Sequence, residues 1–285
     1  MSGTLPDVEE RIGTIRKLSA VIGAMRGIAA SRLQDAQLHA GAIRLYADTI
    51  GAAIGQALAF PVAEPEAHSG APPGGALLIL LCAEQGFSGS FSARILEAAQ
   101  DAIRAAPGPA EVLLVGDRGL LVAHEYGIET GWTAPMIAHP AGAAELADRI
   151  AGAVFERISA GRDPAVSILH AAPGGESGYT LVRRQLVPFD YSRFRRPGGK
   201  PLPLTGLGAG ELLARLVEEY VFAEICEALM LSFAAENEAR MRAMILAHDN
   251  VDGSLETLTG QARRLRQEAI TEEIIELSAG SLPRR

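Results

Sequence analysis

The sequence predicts an α/β protein in which two long terminal helices form an antiparallel coiled coil around an inserted, Rossmann-like α/β domain. Three observations predict it. A helical apolar stripe fills the first 60 residues, a second follows residue 208, and the segment between them alternates short apolar runs with amphipathic stretches. The predicted segments are a helix at 1–60, an α/β domain at 75–190 and a helix at 208–280.

The first predicted helix carries apolar residues in steps of three and four from Val8 to Ile54. A stripe this narrow and this rich in alanine is typical of a coiled-coil seam. Pro61 and the proline- and glycine-rich run 65–75 predict where it ends. Each glycine inside it costs about 1 kcal/mol against alanine, so packing against a partner must supply the difference.

The middle segment changes its pattern to short apolar runs separated by amphipathic stretches. Strands alternating with helices predict a largely parallel sheet, and proline- and glycine-rich stretches at 59–75 and 196–210 predict linkers on either side. The predicted strands lie at 76–82, 111–115, 165–171 and 179–187, and the predicted helices at 92–106 and 141–160.

The last helix keeps the three-four rhythm from Leu213 to Ala269, and no proline interrupts it between Gly210 and Pro283. A single helix of this length does not stay ordered alone in water. The two terminal helices are therefore expected to wrap around each other.

Composition narrows the class of function. A formal net charge of −8 argues against general affinity for nucleic acid or anionic lipid, and the apolar run 76–83 is far shorter than the roughly 20 residues of a membrane-spanning helix. Residues 1–11 show neither a secretory signal nor a transit peptide, which predicts a cytoplasmic protein. Cys82 and Cys226 stand in apolar surroundings and are expected to be reduced, buried thiols.

No chemistry-bearing motif emerges. The loop EQGFSGS at 84–90 follows a strand but lacks the phosphate-loop lysine and the spacing of a dinucleotide fingerprint. The six histidines have no metal-ligand spacing, and Ser88 and Ser90 have no obvious base nearby in sequence. We therefore predict no catalytic residue, no cofactor and no metal.

Both ends carry longer motifs. The last helix contains EARMRAM at 238–244, the pair Asp249 and Asn250, and RQEAITEEIIE at 266–276; the first contains RIGTIR at 11–16 and AMRGIAASR at 24–32. Two such motifs, in this order and at this separation, resemble those of the gamma-subunit family of F-type ATP synthases. The loop 83–92 departs from that family's usual sequence, which indicates a divergent bacterial member; one interpretation is that it belongs to a second ATPase system.

The resemblance implies a rotor shaft without an active site. The coiled coil would fill the centre of a ring of alternating alpha and beta subunits. The foot of the coiled coil, beside the α/β domain, would bind the epsilon subunit and the membrane c-ring. Such a shaft couples ion flow to ATP synthesis or hydrolysis on other chains, peripheral to the cytoplasmic face of a bacterial membrane. No nucleic-acid partner is implied.

Matching the family's motifs residue by residue implies five contact or coupling positions. They are Met25, Arg240, Gln267, Thr271 and Glu273. Seam packing is the competing interpretation for Met25 and Thr271, whereas polar side chains off the apolar stripe point at something other than the partner helix.

Two other functions compete with the shaft. One is a coiled-coil scaffold of another complex, which needs only the apolar stripe. The other is a small nucleotide-binding α/β protein over residues 75–190, which the absence of a phosphate-loop lysine disfavours.

Overall fold

The structure, a computed structural model, describes residues 4–60, 74–160, 164–175, 178–195 and 204–280. By their contacts these residues form two compact units. The first unit joins the two ends of the chain, up to Ile28 and from Met241 onward, and the second comprises Ala29–Arg240. The predicted bounds 1–60, 75–190 and 208–280 divide the chain by sequence pattern instead, and that division stays a prediction.

Five α-helices lie within the described ranges, and the first and last are the two long terminal helices that the sequence predicts. Helix α1 has 53 residues and α5 has 72. The helices are α1 (Leu5–Ala57), α2 (Phe91–Arg104), α3 (Asp117–Ala123), α4 (Ala143–Ser159) and α5 (Ala209–Gly280). None of the helices in these ranges combines the length and apolar character needed to cross a bilayer.

In the first unit, the start of α1 packs against the later part of α5. Val8 and Ile12 bury their side chains against Leu258 and Ala262. In the second unit, the end of α1 meets the start of α5, where Ile54 packs against Leu213. In each unit the two helices run antiparallel, as predicted, because low numbers on one meet high numbers on the other.

The second unit contains a five-stranded sheet of order β3-β2-β1-β4-β5. β1 pairs in parallel with β2 and with β4, and β3 extends the sheet in parallel beyond β2. Only the edge strand β5 is antiparallel, to β4. The strands are β1 (Ala76–Leu81), β2 (Ala110–Val115), β3 (Trp132–Ala134), β4 (Ala165–Pro173) and β5 (Tyr179–Val187).

Both faces of this sheet are covered. One face packs against α4 and against the parts of α1 and α5 that lie in this unit, including Ala36, Ala40 and Leu229. The other face packs against α2, whose Phe91 and Ile95 are fully buried. A central strand buried on both faces needs apolar side chains at successive positions, which is why β1 shows an unbroken apolar run.

The segment after β5 crosses α1 and α5 through aromatic side chains. The ring of Phe194 stacks on Phe189 at a centroid distance of 5.4 Å and meets Tyr220 of α5 edge-on at 5.0 Å. These rings pack around Ile54 and Leu213 and close the second unit at the end of α1.

The structure adds elements that the sequence pattern did not predict. β3 has three residues and α3 has seven, too few to show a period. The predicted helix 141–160 begins with a 3-10 turn at Pro140–Gly142 and becomes α4 at Ala143. Most of the predicted linkers, 61–73 and 196–203, lies outside the described residues. Cys82 and Cys226 are buried and free, as predicted.

Candidate functional site

Helix α5 places polar side chains on one buried face within the second unit. Positions four residues apart on a helix lie above one another, and the face here comprises Ser232, Glu236, Asn237 and Arg240, each at most 6% exposed. Buried polar groups need partners. Ser232, Glu236 and Arg240 find partners among the backbone groups at and after the carboxyl end of β1, and Asn237 finds its partners within α5.

The contacts follow the chain as it leaves β1. The Ser232 hydroxyl donates to the carbonyl of Leu81 at 3.1 Å. The backbone N–H groups of Glu84 and Gln85 each donate to the Glu236 carboxylate at 3.4 Å. The Arg240 guanidinium donates to the carbonyl oxygens of Gln85 at 3.3 Å and Gly86 at 3.2 Å.

Glu236 and Arg240 also form a buried ion pair with each other. Arg240 Nη1 donates to Asn237 Oδ1 at 3.1 Å, and the Asn237 amide donates to the Phe233 carbonyl at 2.8 Å. Burial and the Glu236 carboxylate raise the pKa of the nearby Cys82 thiol to about 12, so it stays protonated. Removing one partner of such a pair costs about 3–5 kcal/mol because it leaves an uncompensated charge.

This arrangement bears on the nucleotide-binding alternative. Doubly wound α/β sheets bind ligands in the crevice beyond the carboxyl ends of their strands. Here the end of β1 is occupied by side chains of α5, and the Glu84 carboxylate accepts from the N–H groups of Asp117 at 3.2 Å and Met136 at 2.7 Å. Among the described residues no His, Cys, Asp and Glu side chains gather into a metal-holding group.

A second buried polar cluster lies nearer the start of α5. Glu224 accepts from Arg193 at 2.8 Å, and Glu227 accepts from Arg184 of β5 at 2.9 Å. Arg44 of α1 also reaches Glu227, at 3.4 Å, from an exposed position. The cluster joins α5 to α1, to β5 and to the segment after β5.

His170 of β4 lies beside this cluster and is fully buried. Its Nδ1 lies 3.0 Å from the Ala171 carbonyl oxygen, whereas its Nε2 has no hydrogen-bond partner in the structure. Burial lowers the pKa of His170 to about 4, with a smaller contribution from Arg184 in the same direction. The imidazole is therefore neutral near pH 7.

The predicted contact residues fall in different places. Gln267, Thr271 and Glu273 lie on the first unit with exposed side chains, and Met25 of the same unit is half-buried. The Thr271 hydroxyl donates to the Gln267 carbonyl at 2.8 Å, and the two residues share an open hollow on α5. Arg240 lies in the second unit, and its side chain points at the chain's own loop.

Two features of the structure were not predicted from the sequence. The first is the pairing of Glu236 with Arg240, which was visible as opposite charges four residues apart in an apolar stretch. The second is a set of side chains near the end of α5, more than half exposed, that continues the apolar rhythm past Ala269. They are Ile270, Ile274, Ile275 and Leu277.

The chain matches the family model described as ATP synthase over residues 4–282. A relative from Frankia casuarinae named ATP synthase gamma chain is 29% identical over 298 residues, which cover 99% of this chain and 98% of the relative. A relative of the same name from Salinibacter ruber is 29% identical over 313 residues and covers 97% of each chain.

Solved structures share the fold. A chain in the OSCP/F1/c-ring assembly of the Euglena gracilis mitochondrial ATP synthase matches with a TM-score of 0.64 at 13% identity, over 99% of this chain and 97% of that one. A chain of the Tetrahymena thermophila central stalk/c-ring structure matches with a TM-score of 0.58 at 18% identity, over 80% and 99%. These matches confirm the predicted fold class. The chain belongs to the ATP synthase family as a non-catalytic gamma central-stalk subunit, a peripheral part of a membrane complex.

Proposed function

We propose that this chain works as the turning shaft of an F-type ATP synthase and couples ion flow to ATP synthesis or hydrolysis on other chains. The observation that carries the proposal is the exposed apolar end of α5. Ile270, Ile274, Ile275 and Leu277 are each more than half exposed, and no other described helix of the chain covers them. Exposed apolar groups in such density mark an interaction surface.

The position of these side chains fits a shaft whose end is surrounded by partner subunits. The buried seam of the first unit ends near Leu5 and Leu265, so the last turns of α5 extend beyond the segment that α1 covers. A ring of alternating alpha and beta subunits would cover this end on all sides. Because a single helix presents a different face to each partner, identical partners would adopt different conformations.

The predicted coupling residues fit the same role. Gln267 and Thr271 share one exposed hollow of α5, and Glu273 lies exposed on the next turn. Met25 is half-buried on α1, so part of its side chain stays accessible to a partner. The assignment of Arg240 as a direct contact stays a prediction, since its observed hydrogen bonds are to its own chain.

The partners we propose are the alpha and beta subunits, the epsilon subunit and the membrane c-ring. The solved structures similar to this chain are described as rotor, F1 and c-ring assemblies. We place the chain on the cytoplasmic face of a bacterial membrane, which agrees with relatives that are bacterial gamma chains.

The test is co-expression with the organism's own alpha and beta subunits, followed by size-exclusion chromatography and an ATPase assay. A single assembly of three alpha, three beta and one gamma chain is expected. Changing Gln267 and Glu273 together to Ala should lower its ATPase rate about tenfold, equivalent to about 1.4 kcal/mol of barrier.

Glu256→Ala is the matched control, because Glu256 is an exposed carboxylate of the same helix outside the hollow. It should leave the rate unchanged. If the chain eluted alone or with copies of itself, the coiled coil would serve another complex and the scaffold function would replace the shaft.

A further inference from the structure

Five hydrogen bonds join one face of α5 to the chain that leaves β1. They involve the carbonyls of residues 81, 85 and 86 and the N–H groups of residues 84 and 85, and they come from Ser232, Glu236 and Arg240. Four of the five depend on Glu236 and Arg240. A helix that only packed on the sheet would need no such contacts, since the apolar face alone would bury it.

The connection continues across the sheet. Glu84, whose N–H is held by Glu236, accepts hydrogen bonds from the backbone of Asp117 at the start of α3 and of Met136 after β3. The N–H of Ala83 donates to the Ser92 hydroxyl of α2 at 3.2 Å. The loop therefore ties α5 to the ends of three parallel strands and to two helices.

The connection is also rigid. Glu236 and Arg240 are nearly fully buried, so their side chains have little access to water as an alternative partner. Their ion pair fixes both side chains in one geometry. Phe87 directly follows the hydrogen-bonded residues Gln85 and Gly86. Its φ is 63°, and among the non-glycine residues of the described ranges it alone has a positive φ. Such a backbone conformation persists only where the surroundings determine it.

We infer that Glu236 and Arg240 form a torque-bearing joint, a positioning pair that makes α5 and the α/β sheet of the second unit turn as one body. The inference rests on the proposed shaft function. A shaft helix that delivers torque to a packed domain must not slip relative to it, and apolar contacts resist sliding less than directed hydrogen bonds do. The pair supplies those bonds at the central strand of the sheet.

The test compares two double variants of the full chain in complex with its alpha and beta subunits. Glu236→Leu with Arg240→Met removes four of the five bonds and keeps the apolar volume, and such replacements of a buried ion pair are often neutral for stability. The control is Glu218→Leu with Arg215→Met, an exposed ion pair on the same helix.

A bead attached to the α/β sheet domain reports the joint during ATP-driven rotation. Angular fluctuations of the bead in the stalled complex give its torsional stiffness, which should fall roughly twofold or more in the first variant because most of the bonds across the joint are gone. Amide exchange at Glu84 and Gln85 should quicken about tenfold. The control variant should change neither quantity.

The outcomes distinguish failure of the joint from failure of the shaft. Unchanged stiffness in a complex whose Glu84 and Gln85 amides exchange faster would overturn the joint and leave the shaft intact. A wild-type chain that does not assemble with alpha and beta would overturn the shaft instead. If the first variant does not assemble, Glu236→Gln with Arg240→Met, which leaves no unpaired buried charge and removes both Arg240 bonds to the loop, carries the same expectation of reduced stiffness.

Discussion

The backbone carbonyl oxygen of Arg195 lies against the Cα of Gly55 on α1, at the place where a Cβ atom would collide with it. One turn earlier, a Cβ on Gly51 would lie 3.2 Å from the ring of Phe194. The segment after β5 therefore lies directly on α1 and depends on two glycines four residues apart. These glycines weaken the helix and permit the crossing.

Gly55→Ala is expected to destabilise the chain by about 1–3 kcal/mol, because the added methyl group forces the Arg195 backbone away. Gly41→Ala is the matched control on the same helix, since a Cβ there meets nothing within 4 Å. The control should stabilise the chain by up to about 1 kcal/mol through helix propensity. Urea unfolding of both variants measures the difference, and equal stabilities would refute the close crossing.

Arg184 and Arg44 bind the same carboxylate but should matter unequally. Arg184→Met removes a partly buried partner of Glu227 and Glu224 and should cost about 3 kcal/mol, because both carboxylates are buried. Arg44→Met removes a partner whose side chain is 71% exposed and should cost less than about 1 kcal/mol. Denaturant unfolding ranks the two, and a larger loss for Arg44→Met would contradict the cluster geometry.

His170 predicts a pH dependence of stability. Its pKa is about 4 in the folded chain, against an ordinary value of 6.5 for a solvated histidine, so the unfolded state binds the proton more readily. Stability is unaffected by this group above about pH 6.5 and falls as the pH drops toward 4, by at most about 3 kcal/mol. His170→Gln removes the titration, so the difference in unfolding free energy between wild type and variant should shrink or reverse as the pH falls. A pH-independent difference would disprove the assignment.

The apolar end of α5 should matter only in the complex. Changing Ile274 and Ile275 together to Asn is expected to alter the unfolding free energy of the free chain by less than about 0.5 kcal/mol, because both side chains are exposed. The same change should weaken assembly with the alpha and beta subunits, measured by size-exclusion chromatography. Glu276→Gln, on the same turn, serves as control. Normal assembly of the isoleucine variant would remove the main support for the proposal that the alpha and beta subunits surround the end of α5.

Local patterns predicted most of the fold. The apolar run of β1 and the alternation in β5 fall within a residue of the observed strands. β3 was missed because its position depends on pairing with Leu113 and Leu114, contacts that no local pattern records. Likewise, helix periodicity predicted α1 and α5, and their contact with each other followed from the length that neither could sustain alone.

The candidate site was predictable only in part. Spacing places Gln267 and Thr271 on one face of α5, and the structure agrees. The burial of Arg240 could not be read from its neighbours in sequence, because its carbonyl partners at Gln85 and Gly86 lie about 155 positions away. A charged residue in an apolar helix has no sequence signature that separates an internal ion pair from an external contact.

The sheet face that packs against α4 is also covered by α1 and α5, and this has a consequence for synthesis of the protein. Leu77, Ile79 and Ile168 pack partly against Ala36 and Leu229, residues from opposite ends of the unit. Until the ribosome has released the chain to about residue 240, this apolar face has no cover from α5. The sheet therefore matures late, its nascent form is the stage most exposed to aggregation, and residues 75–190 expressed alone would keep that exposure permanently.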